Sequence, residues 1–246
     1  MKTPDIKSEL RKVVDDAQRF IETQQDLFGN VVYVDKNSGK EIAEPAVQAA
    51  PLQTDEPWAA SASLDDLNKQ ICECLKCQLG GTRTKFVFGV GNPNADIMFI
   101  GEAPGADEDR QGEPFVGRAG QLLNKILEAT GFKREEVYIC NILKCRPPNN
   151  RDPEPTEMDT CTPYLYKQID LVKPKFIVCL GRISAQWLLQ TKDTLGKLRE
   201  HVHDYRGAKL IVTYHPAALL RNEAWKRPTW EDMKKLKQMY DESVKK

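Results

Sequence analysis

The sequence predicts an α/β protein of three layers, α/β/α, in which a central parallel sheet of four strands is covered by helices on both faces. Two observations support this prediction. Short apolar runs alternate with helix-like segments from residue 64 onward, and each run ends near a glycine or a polar residue. Such alternation is typical of parallel sheets, because a helix usually returns the chain between parallel strands. An N-terminal helix and a linker are expected ahead of this body.

The four predicted strands are short apolar runs, as expected for strands buried on both faces. Gly101, Asn141, Gly181 and His215 stand near their carboxyl ends. In open parallel sheets a ligand binds beyond the carboxyl ends of the strands, so we expect the functional site at this edge. The strands are predicted over residues 95–100, 136–143, 175–180 and 209–214.

Helices fill the intervals between the strands. Residues 119–130 have a helical period and stop at Gly131, a residue that suits the position after a helix. In the helix predicted over 156–173, Thr156 is the candidate N-cap, because acidic residues follow it. Two further helices are predicted over 182–189 and 230–244.

The first 63 residues differ from the body of the chain. Residues 6–28 place apolar side chains at helical spacing, which predicts an amphipathic helix. Residues 41–63 are rich in Ala, Pro and Ser without a period, which is typical of a disordered linker. We therefore expect a helical extension over 1–40, a disordered linker over 41–63 and one main domain over 64–246.

Length and composition exclude several classes of protein. A chain of 246 residues can bury a core without disulfides. No stretch approaches the roughly 20 apolar residues of a membrane helix, and the N-terminus lacks the apolar core of a signal peptide. We therefore expect a cytoplasmic protein without membrane contact. The 36 basic and 36 acidic residues permit an anionic partner but do not demand one.

The seven cysteines do not form the pattern of an extracellular disulfide framework. Four of them make two separated pairs, of which three members lie in polar, turn-rich stretches and the fourth on a predicted helix, and four thiolates can bind zinc or an iron–sulfur cluster. Spacing alone leaves both metals open. Cys72 is near enough to the first pair to replace a ligand, whereas Cys140 and Cys179 lie in apolar strands and are expected to be buried core residues. The pairs are Cys74 with Cys77 and Cys145 with Cys161.

Four motifs, taken with the cysteine spacing, carry a resemblance to a known family. They are GEAPG at 101–105, PFVGRAG at 114–120, NILKCRPPNNRDP at 141–153 and YHPAAL at 214–219. In these motifs the chain resembles the family 4 (type 4, iron–sulfur) uracil-DNA glycosylases over about residues 70–240. The resemblance implies a [4Fe-4S] cluster held by Cys74, Cys77, Cys145 and Cys161, and it makes 64–246 the catalytic domain.

The resemblance also implies the reaction, which is hydrolysis of the bond between uracil N1 and deoxyribose C1′ in DNA. The uracil is flipped out of the helix, and its removal leaves an abasic site and initiates base excision repair. Phe115 would stack on the base, and the Asn141 amide would donate to uracil O4 and accept from N3–H. His215 would donate to uracil O2 as negative charge develops there.

Further residues line the implied site. By the resemblance Glu102 would position water or stabilise the cationic sugar. The better-known family 1 glycosylases carry an Asp one position later, where this chain has Ala103, so Glu102 would either orient water without being a strong base or only shape the pocket. Glu108 would close the C5 side of the base against the methyl group of thymine. The backbone amides from Gly101 to Gly105 would contact the base or a phosphate. Candidate DNA contacts on the rim are Arg118, Lys144, Arg146, Arg151, Leu220 and Arg221.

Two other readings are weighed against the enzyme. A relative that is trapped covalently on uracil-DNA would carry Gln in place of Ala103 and a basic insert with a reactive His, and this chain has neither. A metal-stabilised DNA-binding module without turnover would have no use for a leaving-group donor such as His215. We expect a monomer that acts on single- or double-stranded DNA, and the N-terminal helix is a candidate contact for a sliding clamp or another repair protein.

Overall fold

The computed structural model describes residues 54–245, together with Val14 and Gln18. Val14 and Gln18 are helical and exposed, and the rest of the helix predicted over 6–28 lies outside the described residues. Most of the predicted linker over 41–63 also lies outside them.

The linker prediction is wrong for its last ten residues, which are ordered. A short 3₁₀ helix spans Pro57–Ala60, and the side chain of Trp58 is only 5% exposed. Its ring meets that of Tyr164 edge to face at a centroid distance of 4.8 Å. One tryptophan in an Ala- and Pro-rich stretch thus buries enough apolar surface to fix the chain, and the ordered body begins ahead of residue 64.

The four predicted strands form the centre of a sheet of six. The order is β1-β3-β2-β4-β6-β5, and neighbours among β3, β2, β4 and β6 are parallel. The two edge strands, which sequence patterns did not predict, pair antiparallel and have only two and three residues, too few to show a period. The strands are β1 Val90–Gly91, β2 Ile97–Gly101, β3 Tyr138–Asn141, β4 Phe176–Leu180, β5 His203–Tyr205 and β6 Ala208–Thr213.

Helices follow the predicted order. Gly131 has φ of 78° and follows Thr130, the C-cap of α3, which confirms its place after a helix end. The Thr156 prediction is wrong: α4 begins at Pro155, and Glu154 is its N-cap in a capping box with Glu157. The helices are α1 Leu64–Ile71, α2 Ala106–Gln111, α3 Arg118–Ala129, α4 Pro155–Val172, α5 Arg182–Leu188, α6 Leu195–Arg199, α7 Pro216–Leu219 and α8 Lys226–Val244. Within the described part of the chain, no helix combines the length and the apolar character needed to cross a membrane.

Each face of the sheet carries its own core, which confirms the three-layer prediction. Because side chains alternate along a strand, Met98 and Ile100 of β2 pack on one face with α1 and α4, whereas Ile97 and Phe99 pack on the other with α3 and α8. All five residues of β2 and of β4 are buried. Because helices cover both faces of the sheet, a functional site is expected at its carboxyl edge, where loops follow β2, β3 and β6.

Candidate active site

A cavity of about 380 Å³ opens beyond the carboxyl ends of β2, β3 and β6. It brings together most of the residues that the sequence predicts for the site, which lie on four separate stretches of chain. Gly101 stands behind the cavity wall. The predicted residues that line it are Glu102, Ala103, Gly105, Glu108, Phe115, Asn141, Arg151, His215 and Arg221.

Asn141 ends β3 with its side chain 2% exposed. Its Oδ1 is buried and accepts no hydrogen bond from the described residues. A Cβ added at Gly101 would lie 2.3 Å from that oxygen and 2.7 Å from Cζ of Phe115, so only glycine fits between them. A buried acceptor without a partner is costly, and a ligand N–H would remove that cost. The amide oxygen is therefore available to accept a hydrogen bond from a ligand in the cavity.

Phe115 forms the opposite side of the site in a left-handed conformation, with φ of 54°. The Glu108 carboxylate holds the loop after it by accepting N–H bonds from Val116 at 2.9 Å and Gly117 at 3.0 Å. A Cβ at Gly120 would lie 1.9 Å from the Phe115 carbonyl oxygen, so α3 can approach only because it carries glycine there. Non-glycine residues with positive φ are costly and often occur at functional sites.

His215 follows β6 and caps α7. Its Nδ1 accepts a hydrogen bond from the Ala217 N–H at 3.1 Å, so the neutral ring carries its proton on Nε2. Burial lowers the pKa of His215 to about 4, with the positive charge of Arg221 acting in the same direction and Glu108 opposing it. The imidazole is therefore a neutral hydrogen-bond donor near pH 7.

Glu102 follows β2 at the cavity wall. Burial raises its pKa to about 7, the negative charge of Asp152 adds to that shift, and Arg182 opposes it. Carboxyl groups with such pKa values are frequent among catalytic acids and bases. At neutral pH this group is poised between its two protonation states.

The predicted DNA contacts separate into two groups. Arg118 and Leu220 are exposed, and Arg146 binds Asn150 Oδ1 at 2.8 Å. Arg151 and Arg221 line the cavity, and the Arg151 guanidinium also binds both oxygens of buried Glu157, at 2.6 and 2.9 Å.

The prediction for Lys144 is wrong, because its side chain is fully buried and cannot reach a phosphate on the surface. Its amine binds the Asn141 carbonyl and Gln168. Burial lowers the pKa of Lys144, and the neighbouring thiols of Cys140, Cys161 and Cys145 oppose that shift.

Motif residues beyond the predicted set also line the cavity. Asn149 and Asn150 both adopt positive φ, 55° and 54°, and this shapes the loop that carries Asp152 to the cavity. The signal that could have found them was their place in the NNRDP stretch, where Asn tolerates left-handed backbone better than most residues. The additional lining residues are Pro104, Ala119, Pro147, Asn150, Asp152 and Ala217.

The four cysteines of the predicted metal site lie near one another, between the loop after α1, the loop after β3 and α4. Burial raises the pKa of Cys145 and of Cys161, and the charges of Cys77 and Cys74 add to the shift at Cys145, as those of Cys145 and Cys77 do at Cys161. The Sγ of Cys72 lies 3.6 Å from the Lys69 carbonyl oxygen. The two predicted pairs therefore lie close enough for charges on one pair to act on the other.

The sulfurs of the predicted metal site are surrounded by hydrogen-bond donors, an environment that four metal-binding thiolates would fit. Three sulfurs accept hydrogen bonds: Cys145 from Arg83 at 3.4 Å, Cys161 from the Lys144 N–H at 3.4 Å and Cys74 from the Tyr164 hydroxyl at 3.3 Å. Hydrogen bonds to ligand sulfurs are a general feature of iron–sulfur sites. Among the described residues no three His, Cys, Asp or Glu side chains are grouped closely enough to hold a metal ion.

The fold and the site together define a class of DNA repair enzyme. Residues 88–234 match the model of the uracil DNA glycosylase superfamily. The chain belongs to this superfamily and, within it, to the type-4 uracil-DNA glycosylases.

Relatives in three organisms establish the type. The type-4 uracil-DNA glycosylase of Archaeoglobus fulgidus is 47% identical over 182 residues, which is 71% of this chain and 92% of that protein. The type-4 enzyme of Sulfurisphaera tokodaii is 45% identical, covering 72% of this chain and 84% of its own length. That of Thermotoga maritima is 42% identical, covering 71% and 93%.

Proposed function

We propose that this chain excises uracil from DNA by hydrolysing its N-glycosidic bond, which leaves an abasic site for base excision repair. The observation that carries the proposal is the unpaired, buried Oδ1 of Asn141, facing a cavity that Phe115 and a neutral His215 also line. The relatives named above are type-4 uracil-DNA glycosylases, which agrees with this substrate.

Recognition requires the nucleotide to leave the helix, because the bond to be cut is unreachable inside a duplex. Phe115 stacks on the everted base, a contact worth about 1–3 kcal/mol. The Asn141 amide accepts from N3–H and donates to O4. Cytosine presents the reverse polarity at these two positions, so at least one buried group would stay unpaired at a cost of about 1–3 kcal/mol.

Bond cleavage places negative charge on uracil and positive charge on the sugar. His215 donates Nε2–H to the developing anion at O2, and because the ring is already neutral with its tautomer set by Ala217, no proton must be rearranged. Glu102, as carboxylate, orients water and stabilises the cationic sugar. Glu108 keeps Phe115 in place through the two N–H bonds after it, and we retain the proposal that it also limits space at C5.

We further propose that Cys74, Cys77, Cys145 and Cys161 hold a [4Fe-4S] cluster. When bound, the cluster cross-links the segments that carry these cysteines, and the hydrolysis needs no electron transfer. Arg83 supports the site by binding the carbonyl oxygens of Cys74 at 2.5 Å and Cys72 at 2.9 Å as well as the Cys145 sulfur.

The remaining expectations are proposals about context. None of the seven cysteines forms a disulfide, and we propose that the protein acts in a reducing compartment such as the cytoplasm. We propose that the chain acts as a monomer and that the segment ahead of residue 54 is an accessory region available to a sliding clamp or another repair protein. The catalytic body is proposed to run to the C-terminus.

The direct test is strand cleavage at a single uracil. An oligonucleotide carrying one uracil is incubated with the protein and then with alkali, which cuts at abasic sites. We expect a cut at the uracil in both single- and double-stranded DNA, and no cut when thymine replaces it. The Asn141→Asp variant, which cannot donate to O4, serves as matched control and should be nearly inactive while still binding DNA. An uncut uracil strand with the iron-loaded protein would refute the proposal and favour a binding module without turnover.

A further inference from the structure

Lys144 lies between the cavity and the cysteine site and is 0% exposed. Its Nζ donates to the main-chain carbonyl of Asn141 at 2.7 Å and to Oε1 of Gln168 at 2.5 Å. Its own backbone N–H donates to Sγ of Cys161 at 3.4 Å. One residue therefore contacts both the residue that faces the base and a cysteine of the metal site.

The second partner of the amine is itself fixed. Gln168 lies on α4, two turns after Cys161, and is fully buried. Its amide nitrogen donates to the Phe88 carbonyl at 3.0 Å and to the Tyr138 hydroxyl at 3.1 Å. Because both donations orient the amide, its oxygen stays directed at Lys144, and the lysine cannot shift without losing this bond.

The carbonyl that Lys144 binds belongs to the last residue of β3. Just beyond Asn141, the next two N–H groups donate to the carbonyls of Gly101 and Glu102, each at 3.0 Å. The main chain is thus held by β2 on one side and by the amine on another. A space-filling role does not explain the amine, because burying a lysine is costly and an apolar side chain of similar length would fill the same volume.

We propose that Lys144 is a positioning residue for base recognition, which holds the main chain of Asn141 so that its side-chain amide meets the everted base. This inference rests on the proposed uracil excision and names a determinant of its selectivity. The lysine acts through Asn141 and does not contact DNA. Because Lys144 contacts both Cys161 and Asn141, it also couples the conformation of the cysteine site to that of the cavity.

The test begins with Lys144→Met, which keeps the length of the side chain and removes its donors. We expect iron content close to that of the unaltered protein, a lowered thermal midpoint because two buried acceptors lose their donor, and uracil excision about ten- to hundred-fold slower. A readout separate from turnover is binding to an oligonucleotide with non-cleavable 2′-fluoro-2′-deoxyuridine and to the same oligonucleotide with an abasic site. The variant should lose the preference for the first while binding the second unchanged. An unchanged preference would overturn the proposal.

A double-mutant cycle with Asn141→Ala separates positioning from general support of the fold. If Lys144 acts through the Asn141 amide, adding Lys144→Met to Asn141→Ala changes the rate less than two-fold. If the rate of the double variant falls by the product of the two single-variant losses, the proposal is overturned. Should Lys144→Met fail to yield folded, iron-loaded protein, Lys144→Gln takes its place in the cycle and is judged by the same criterion.

The two proposals fail in different ways. If the unaltered protein cuts no uracil strand, the proposed function is wrong. If the unaltered protein cuts and Lys144→Met cuts equally well, only the positioning role is wrong.

Discussion

The rings of Phe115 and His215 lie 5.5 Å apart, centroid to centroid, with their planes tilted by 33°. The two residues are a hundred positions apart in the chain, one in the loop before α3 and the other after β6. Their proximity means that the ring proposed to stack on the base and the group proposed to donate a hydrogen bond to the departing anion form one continuous wall. A base held by one is therefore within reach of the other.

The pH dependence of excision should report Glu102. Its folded-state pKa, raised to about 7, leaves the group protonated in acid, so the rate should fall as pH decreases through about 7 and be retained above it. Asp152→Asn removes the charge that raises this pKa and should move the inflection to lower pH. Arg182→Gln removes the charge that lowers it and should move the inflection upward. Single-turnover rates between pH 5 and 9 measure this, and equal shifts in the same direction would contradict it.

Substitution of His215 should separate hydrogen-bond donation from charge. His215→Ala removes the donor and should slow excision about 10²- to 10³-fold, as loss of a donor to a developing anion does elsewhere. Because burial lowers the pKa of His215 to about 4, the ring is neutral across the pH range of the assay and adds no inflection there. His215→Gln, which keeps an N–H donor, should recover part of the rate. Equal rates for the Ala and Gln variants would show that donation is not the role of this residue.

Glu108 should matter through the Phe115 loop. Glu108→Ala removes the acceptor for the Val116 and Gly117 N–H groups, so we expect weaker base stacking and about a ten-fold loss in kcat/KM for uracil. Glu108→Gln retains an acceptor oxygen and is the matched control, with a smaller loss. Assays on uracil and thymine oligonucleotides also test the proposed role at C5, since new activity on thymine is expected of the Ala variant only if that role holds.

Substitution of single cysteines should show which of them are needed for iron binding. Cys161→Ser should purify with little iron and little absorbance near 400 nm, whereas Cys72→Ser should keep both. The reason is that Cys161 lies close enough to Cys145 and Cys77 for their charges to act on it, whereas the Sγ of Cys72 lies against the Lys69 carbonyl oxygen. Iron analysis of the two purified variants is the measurement. Iron loss in Cys72→Ser alone would reassign the ligand set.

Sequence patterns predicted those helices and strands that are long enough to show a hydrophobic period or that end at a distinctive residue. The four parallel strands and the residues at their carboxyl ends followed from apolar runs and their end points. The two edge strands did not, since two or three residues carry no period. Trp58 was placed in a linker because its neighbours are Ala, Pro and Ser, although one large ring is enough to anchor the segment.

The burial of Lys144 could not be predicted from the sequence for a different reason. Lysine is rarely buried, and its basic neighbour Arg146 made a surface contact the natural expectation. Its burial depends on acceptors that come from elsewhere in the fold, the carbonyl at the end of β3 and Gln168 on α4. Local composition contains no trace of such partners. For the same reason, the hydrogen bonds by which Glu108 fixes the Phe115 loop could not be predicted from the sequence.

The tryptophan that packs edge-on against Tyr164 has a practical consequence for anyone shortening this protein. The Tyr164 hydroxyl donates to the sulfur of Cys74, so Trp58 shelters the partner of a candidate iron ligand. A fragment that starts at residue 64, where the composition changes, would strip away this indole and let water and oxygen approach the thiolate. Fragments for crystallisation or reagent use should begin no later than Thr54. If shorter fragments purify with little colour, the expected cause is the missing Trp58 and not an inability of the cysteines to bind iron.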